Sequence, residues 1–247
     1  MGRWGWQVFF GISLLVLSIT FYALHFFIFR DARHIFIYGL GDIAFVFVEV
    51  LMVSLIIHQL LGVRERRNRL QKMNMVIGTF FSEVGTKLLA YISDQDSELP
   101  SIKADLVVSE EWSDQNFRTV TRKLGRHNYS VDAAQINLEL LRDMLAEKAD
   151  FLLRLLENPT LIEHEAFTDL LQSVFHLNDE LLARKNLKKP SSSDLAHLGV
   201  DVERVYSLLV REWLAYMKHL KANYPYLFAF AMRINPFDEK ADPVVGS

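Results

Sequence analysis

The sequence predicts an all-α membrane protein, with an N-terminal hairpin of two transmembrane helices followed by a cytoplasmic helical bundle domain. Two long apolar segments fill most of the first quarter of the chain, and a short charged turn separates them. Beyond residue 63 the apolar residues recur at steps of three and four, which is the spacing of amphipathic helices. The domains predicted from these patterns cover residues 1–63, 64–93 and 94–247.

The first transmembrane helix is predicted over residues 6–29. This segment contains no acidic or basic side chain except His25. A helix of this length rises about 36 Å, which is enough to cross a hydrocarbon core of about 30 Å. A cleaved signal peptide is the alternative, but the apolar run is too long and no small-residue cleavage site follows it.

The second transmembrane helix is predicted over residues 35–61. Its apolar run is interrupted only by Asp42, Glu49 and His58. The R-D-A-R-H turn at 30–34 is too short for anything but a tight connection, so the two helices should be antiparallel. Together they form the hairpin.

Basic residues after the second helix predict the orientation. They outnumber those of the short turn, which places both termini in the cytoplasm, and we expect a prokaryotic inner or plasma membrane. The same residues are candidates for binding anionic lipid headgroups. A topology signal without lipid binding is the alternative. The basic residues are Arg64, Arg66, Arg67, Arg69 and Lys72.

Asp42 and Glu49 form an acidic stripe inside the second helix. Seven residues separate them, so they differ by only about 20° around the helix axis. Glu49 lies roughly 21 Å along the span, near mid-bilayer, where an acidic residue costs about 2.5 to 3.5 kcal/mol on insertion scales. His25 lies at a similar depth to Asp42 and is its candidate structural partner. The first helix offers Glu49 only hydroxyl groups.

A single hairpin cannot shield this stripe from lipid, which predicts a homo-oligomer. Around a symmetry axis each acid becomes a ring, and acidic rings attract and select cations. The apolar residues Val53, Ile56 and Leu60 continue the same face and are the candidate gate. The sequence therefore favours an oligomeric cation channel with cations bound at Asp42 or Glu49. A membrane-anchored helical scaffold or signalling module without transport is the alternative.

The rest of the chain predicts helices only. A basic juxtamembrane segment and an amphipathic helix continue from the second span through residue 93. Capping residues and polar turns then separate further helices over about 113–126, 132–157, 161–186 and 194–223.

One helical face carries weak candidates for metal binding. Glu165, Asp169, His176 and Glu180 lie within about 60° of one another around the helix. Apolar residues occupy the opposite side, so a solvated face of an ordinary amphipathic helix is the favoured interpretation.

No catalytic residue is predicted, and we expect neither enzymatic activity nor an organic cofactor. The chain has no cysteine, and it lacks the glycine patterns of phosphate loops, dinucleotide-binding turns and serine hydrolases. A net charge of −3, with acids dominating the later part of the chain, argues against nucleic-acid binding. The expected partners are the lipid bilayer and further copies of the chain.

Overall fold

The computed structural model describes residues 3–159, 161 and 164–244. Over these residues the chain is helical, with no strand; Asp96 and Val131 form an isolated antiparallel bridge. The predicted all-helical class is confirmed. The α-helices are α1 Arg3–Phe29, α2 Ala32–Phe80, α3 Thr86–Ser93, α4 Asp114–Leu124, α5 Leu138–Glu147, α6 Ala149–Leu156, α7 Glu165–Ala183, α8 Ser192–Asn223 and α9 Pro225–Arg233.

The chain divides into two compact units, Met1–Arg66 and Arg67–Ser247. In the N-terminal unit, Arg30 reverses the chain between α1 and α2 with a φ of 51°. This left-handed conformation costs a residue with a side chain about 1 kcal/mol. The Arg30 amide donates to the Phe26 carbonyl at 2.9 Å, and the Asp31 carboxylate accepts from the Arg33 amide at 2.9 Å, so both helix ends are capped within the turn.

Within the described part of the chain, three helical segments are long and apolar enough to cross a membrane. The first two, Val8–Phe29 and Ile35–Gly62, are 0% buried and coincide with the two predicted spans. The third, Gln71–Ser93, is 44% buried, because one side of it packs in the core of the C-terminal unit. Its apolar character is therefore explained by that core.

The C-terminal unit is built around the pair α7 and α8. Helices α3, α4 and α9 pack against α8, while α5 and α6 pack against α7. On α8 the residues that face inward recur every three or four positions, as burial of one helical face requires. They include Leu198, Val202, Val205, Leu209 and Met217, all fully buried.

Helix starts follow local capping chemistry. Ser113 and Asn116 form a reciprocal capping box at the start of α4, as expected from the serine at that position. The helix predicted over 132–157 is wrong in its first part. Asp132 and Asn137 accept hydrogen bonds from the backbone amides of Ala134 and Leu140, which holds residues 132–137 in turns instead of helix.

A π-helical turn, Phe81–Gly85, connects α2 to α3. The wider turn changes the helical register and lets the adjacent residues Phe80 and Phe81 both enter the core, where they are 0% and 1% exposed. A Cβ atom at Gly85 would lie 2.7 Å from each of the two rings. Only glycine fits at this position without a shift of one ring.

Candidate functional site

Asp42 lies in a mainly apolar cleft between α1 and α2. The Tyr22 hydroxyl donates to its Oδ2 at 3.4 Å. The cleft has a volume of about 630 Å³, and Ser18, His25 and Tyr38 also line it. The structure thus gives Asp42 a tyrosine as hydrogen-bond partner, with the predicted partner His25 in the wall of the same cleft.

Glu49 differs from Asp42, because no described residue pairs with it. Its side chain is exposed, and among the residues that the structure describes it forms no hydrogen bond or ion pair. The candidate gate residues Val53, Ile56 and Leu60 are also exposed, at 48%, 51% and 65%. In a single copy of the chain, Glu49 and the three candidate gate residues therefore form an exposed face of α2.

The predicted lipid-binding residues are only partly described. The side chains of Arg64, Arg66, Arg67 and Arg69 lie outside the described part of the structure. Lys72 is exposed on α2.

A second group of polar residues lies where α7 meets α8. His176 and Glu180 come from α7, and His197 and Asp201 come from α8. Asp201 Oδ2 lies 3.7 Å from His176 Nε2 and 3.6 Å from His197 Nε2. Glu180 Oε1 lies 4.0 Å from His176 Nε2, and Glu180 Oε2 lies 3.5 Å from His197 Nε2. We call these four residues the α7–α8 cluster.

Two of the four residues predicted as weak metal ligands belong to this cluster. Glu165 and Asp169 are exposed elsewhere on α7. His197 and Asp201 are not among the residues predicted from the sequence. Their spacing of four residues, equal to that of His176 and Glu180, was the signal that could have found them.

Arginines hold the carboxylates of the α7–α8 cluster. Arg184 Nη1 donates to Glu180 Oε2 at 2.7 Å, and Arg184 Nη2 donates to Asp194 Oδ1 at 2.7 Å. These hydrogen bonds lower the pKa of Glu180 and that of Asp194. Arg204 Nη1 donates to Asp201 Oδ1 at 3.1 Å, which leaves Oδ2 facing the two histidines.

A third polar group lies inside the C-terminal unit. The Asp96 side chain is fully buried, and its Oδ1 accepts from the backbone amides of Glu98 at 2.9 Å and Ser130 at 3.3 Å. Its Oδ2 lies 3.8 Å from His127 Nε2. Burial raises the pKa of the neighbouring Tyr129 to about 12 and also raises that of Tyr206. The Asp96 carboxylate thus joins two loops, and the Tyr129 ring packs edge to face on Tyr206 of α8, with 5.4 Å between centroids.

Comparison with known families agrees with the two-part architecture. Residues 2–61 match a family model described as "MJ1433, N-terminal helical domain". Residues 69–233 match a second model, "Uncharacterized protein MJ1433, C-terminal helical domain". The chain belongs to the MJ1433 family. The two matched ranges fall in the two compact units, so the division within α2 is also the division between the MJ1433 family domains.

Similarity to an MJ1433 family member extends over nearly the whole chain. Uncharacterized protein MJ1433 of Methanocaldococcus jannaschii is 46% identical over 230 residues, which cover 93% of this chain and 92% of that protein. No solved structure matches the chain.

Proposed function

We propose that the protein is an integral membrane protein whose copies assemble around a cation pathway lined by α2. The observation that carries the proposal is Glu49. It lies in the middle of the 28-residue apolar segment Ile35–Gly62 and has no partner among the described residues of its own chain.

Membrane insertion is supported by the N-terminal unit itself. Two antiparallel helices with exposed apolar side chains have the length of bilayer spans and satisfy their backbone hydrogen bonds internally. The basic residues at 64–72 support an orientation with both termini on the cytoplasmic side, in a prokaryotic inner or plasma membrane. Those residues would then lie at the level of anionic lipid headgroups.

Assembly of several copies follows from the position of Glu49. A carboxylate near mid-bilayer is stable when it faces a bundle interior or water, and one hairpin provides neither. Copies arranged around an axis would turn Glu49 into an acidic ring that binds cations. Val53, Ile56 and Leu60 would follow as an apolar constriction on the cytoplasmic side.

Asp42 has a smaller part in this proposal. Its hydrogen bond from Tyr22 joins α1 to α2, so it stabilises the hairpin. Its second oxygen would still contribute negative charge near the mouth of a pathway. Selection between ions therefore depends mainly on Glu49.

The test is a flux measurement on the full chain in liposomes, with Glu49→Gln compared against wild type. We expect the wild-type protein to pass K⁺ and the variant to lose cation selectivity over chloride by roughly tenfold, because the ring charge is gone. His58→Gln is the matched control, since His58 lies about 180° from Glu49 on the same helix. Absence of flux in wild type, or unchanged selectivity in Glu49→Gln, contradicts the proposal.

The second candidate is a membrane-anchored helical scaffold or signalling module without transport. It is favoured by the Tyr22–Asp42 contact, which gives one of the two intramembrane carboxylates a partner within its own hairpin. On this proposal Glu49→Gln changes assembly or stability and no ion flux exists. Neither candidate is an enzyme.

A further inference from the structure

We propose that the α7–α8 cluster is a binding site for one divalent transition-metal ion of the zinc class. The ligands at hand are Glu180, His197 and Asp201, whose ligand atoms all lie within 4.8 Å of one another. His176 Nε2, which lies 3.7 Å from Asp201 and 4.0 Å from Glu180, would join them as the fourth ligand after a rotation of its ring. This site lies in the C-terminal unit, and the inference is independent of whether the protein conducts ions.

Helical spacing is the first argument. Residues four positions apart on a helix are neighbours on one face, so each helix presents one imidazole and one carboxylate side by side. Helix α7 contributes His176 and Glu180, and α8 contributes His197 and Asp201. Because α7 and α8 form the central packed pair, the two ligand pairs face each other.

The distances between histidine nitrogens and carboxylate oxygens also fit a metal site. The nitrogen-to-oxygen separations between histidines and carboxylates are 3.5, 3.6, 3.7 and 4.0 Å. All exceed the usual range of a hydrogen bond, about 2.7 to 3.2 Å. Ligand atoms about 2.0 Å from one tetrahedral ion lie roughly 3.3 Å apart. A small contraction would bring Glu180, His197 and Asp201 to that spacing, and His176 would reach it after a rotation of its ring.

The burial of Asp201 is the third argument. Its side chain is 4% exposed, and its Oδ2 has no hydrogen bond although it points at both histidine nitrogens. A buried carboxylate oxygen without a hydrogen bond costs free energy. A cation between Asp201 and the histidines would remove that cost.

Two arginines hold the carboxylate ligands by hydrogen bonds from outside the proposed coordination sphere. Arg204 fixes Asp201 through Oδ1 and leaves Oδ2 for a metal. Arg184 fixes Glu180 through Oε2, the oxygen that also faces His197 at 3.5 Å, and leaves Oε1 facing His176 at 4.0 Å. Such outer hydrogen bonds orient the carboxylate ligands of metal sites.

The ligand set indicates the class of ion. Two imidazole nitrogens and two carboxylate oxygens suit Zn²⁺ and its first-row neighbours, whereas Ca²⁺ and Mg²⁺ prefer oxygen ligands alone. His176 and His197 are 48% and 54% exposed, so an ion can enter from solvent.

The experiment is a titration of the purified full chain, stripped with EDTA, by Zn²⁺ in a calorimeter. We expect one ion per chain. His176→Ala and His197→Ala should each weaken binding at least about 100-fold, since loss even of an outer partner costs 10- to 100-fold. Asp169→Asn is the control on the same helix, and it should bind as wild type does. No stoichiometric binding, or wild-type affinity in both histidine variants, overturns the proposal.

Thermal unfolding separates a binding defect from a folding defect. Both histidines are about half exposed, so the metal-free variants should melt at the temperature of metal-free wild type. Zinc should then raise the melting temperature of wild type and Asp169→Asn, because it binds only the folded state. An equal rise in the histidine variants would overturn the proposal. Co²⁺ bound to wild type should show the visible absorption of a four-coordinate ion, and a six-coordinate spectrum would contradict the tetrahedral site.

Discussion

Glu212 places a carboxyl group in the core of the C-terminal unit. The residue lies on α8 and is 8% exposed. Burial raises its pKa above the ordinary value of 4.5, while the nearby His164 opposes this shift. The folded state therefore favours the protonated form of Glu212. The contribution of this group to the free energy of unfolding is fully present below pH 4.5, and it is lost as the pH rises through the pKa of the folded state.

Glu212→Gln should therefore stabilise the protein at pH 7 and have little effect at pH 4. The substitution removes the cost of an ionised group in the core, and this cost exists only where Glu212 is ionised. The measurement is thermal unfolding of the full chain in detergent at both pH values, followed by circular dichroism. Glu111→Gln, at an exposed loop position, is the control and should change neither melting temperature. A variant less stable than wild type at pH 7 would contradict this account.

The burial of individual polar residues, such as Asp96, could not be predicted from the sequence. The segment D-Q-D-S-E at 94–98 has the polar composition of a connection between helices. In the structure, Asp96 is buried because its carboxylate binds two backbone amides, one of them 34 residues further along the chain at Ser130. A partner so distant in sequence leaves no local pattern.

At the scale of elements, Gly85 in the π-helical turn is the most constrained position. Gly85→Ala should lower the free energy of unfolding by about 1 to 3 kcal/mol, the usual cost of overpacking a core. The new Cβ would lie 2.7 Å from Phe80 Cε1 and from Phe81 Cδ1, and both rings are buried. Chemical denaturation of the full chain measures this difference.

Gly199→Ala is the matched control for Gly85→Ala. Gly199 also lies in a helix, α8, but its nearest contact for a Cβ is Ala133 Cβ at 3.4 Å, an ordinary packing distance. Alanine in a helix interior is more stable than glycine by about 0.5 to 1 kcal/mol. The two substitutions should thus have opposite signs. Equal effects at both positions would show that the π-helical turn can move aside.

Helix periodicity predicted most elements, since the repeat of three and four residues is local. The start of α4 at Ser113 and the long helix α8 follow from sequence alone. The π-helical turn does not, because Phe80 and Phe81 enter the core together only after a register change that depends on tertiary packing. Two of the four residues of the α7–α8 cluster could be predicted from the sequence. His176 and Glu180 share a helix, whereas their proximity to His197 and Asp201 requires knowing that α7 packs on α8.

At the scale of the whole molecule, the C-terminal unit includes one side of the third apolar segment, Gln71–Ser93. Its buried residues belong to the same core as α7 and α8. Phe80 packs edge to face on Phe167 of α7, with 5.3 Å between ring centroids, and Phe81 stacks on Tyr216 of α8 at 5.2 Å. The segment is therefore part of the fold of this unit.

A fragment covering residues 71–244 should fold without the apolar hairpin, whereas one covering residues 95–244 should not. The shorter fragment lacks Phe80, Phe81, Leu88, Leu89 and Ile92, all 0% or 1% exposed in the core. Loss of one large core side chain costs about 2 to 5 kcal/mol, so loss of five exceeds the stability of a typical domain. Circular dichroism melting and size-exclusion chromatography of both fragments measure the outcome. A cooperative transition in the shorter fragment at the temperature of the longer one would show that residues 71–93 are dispensable for the core.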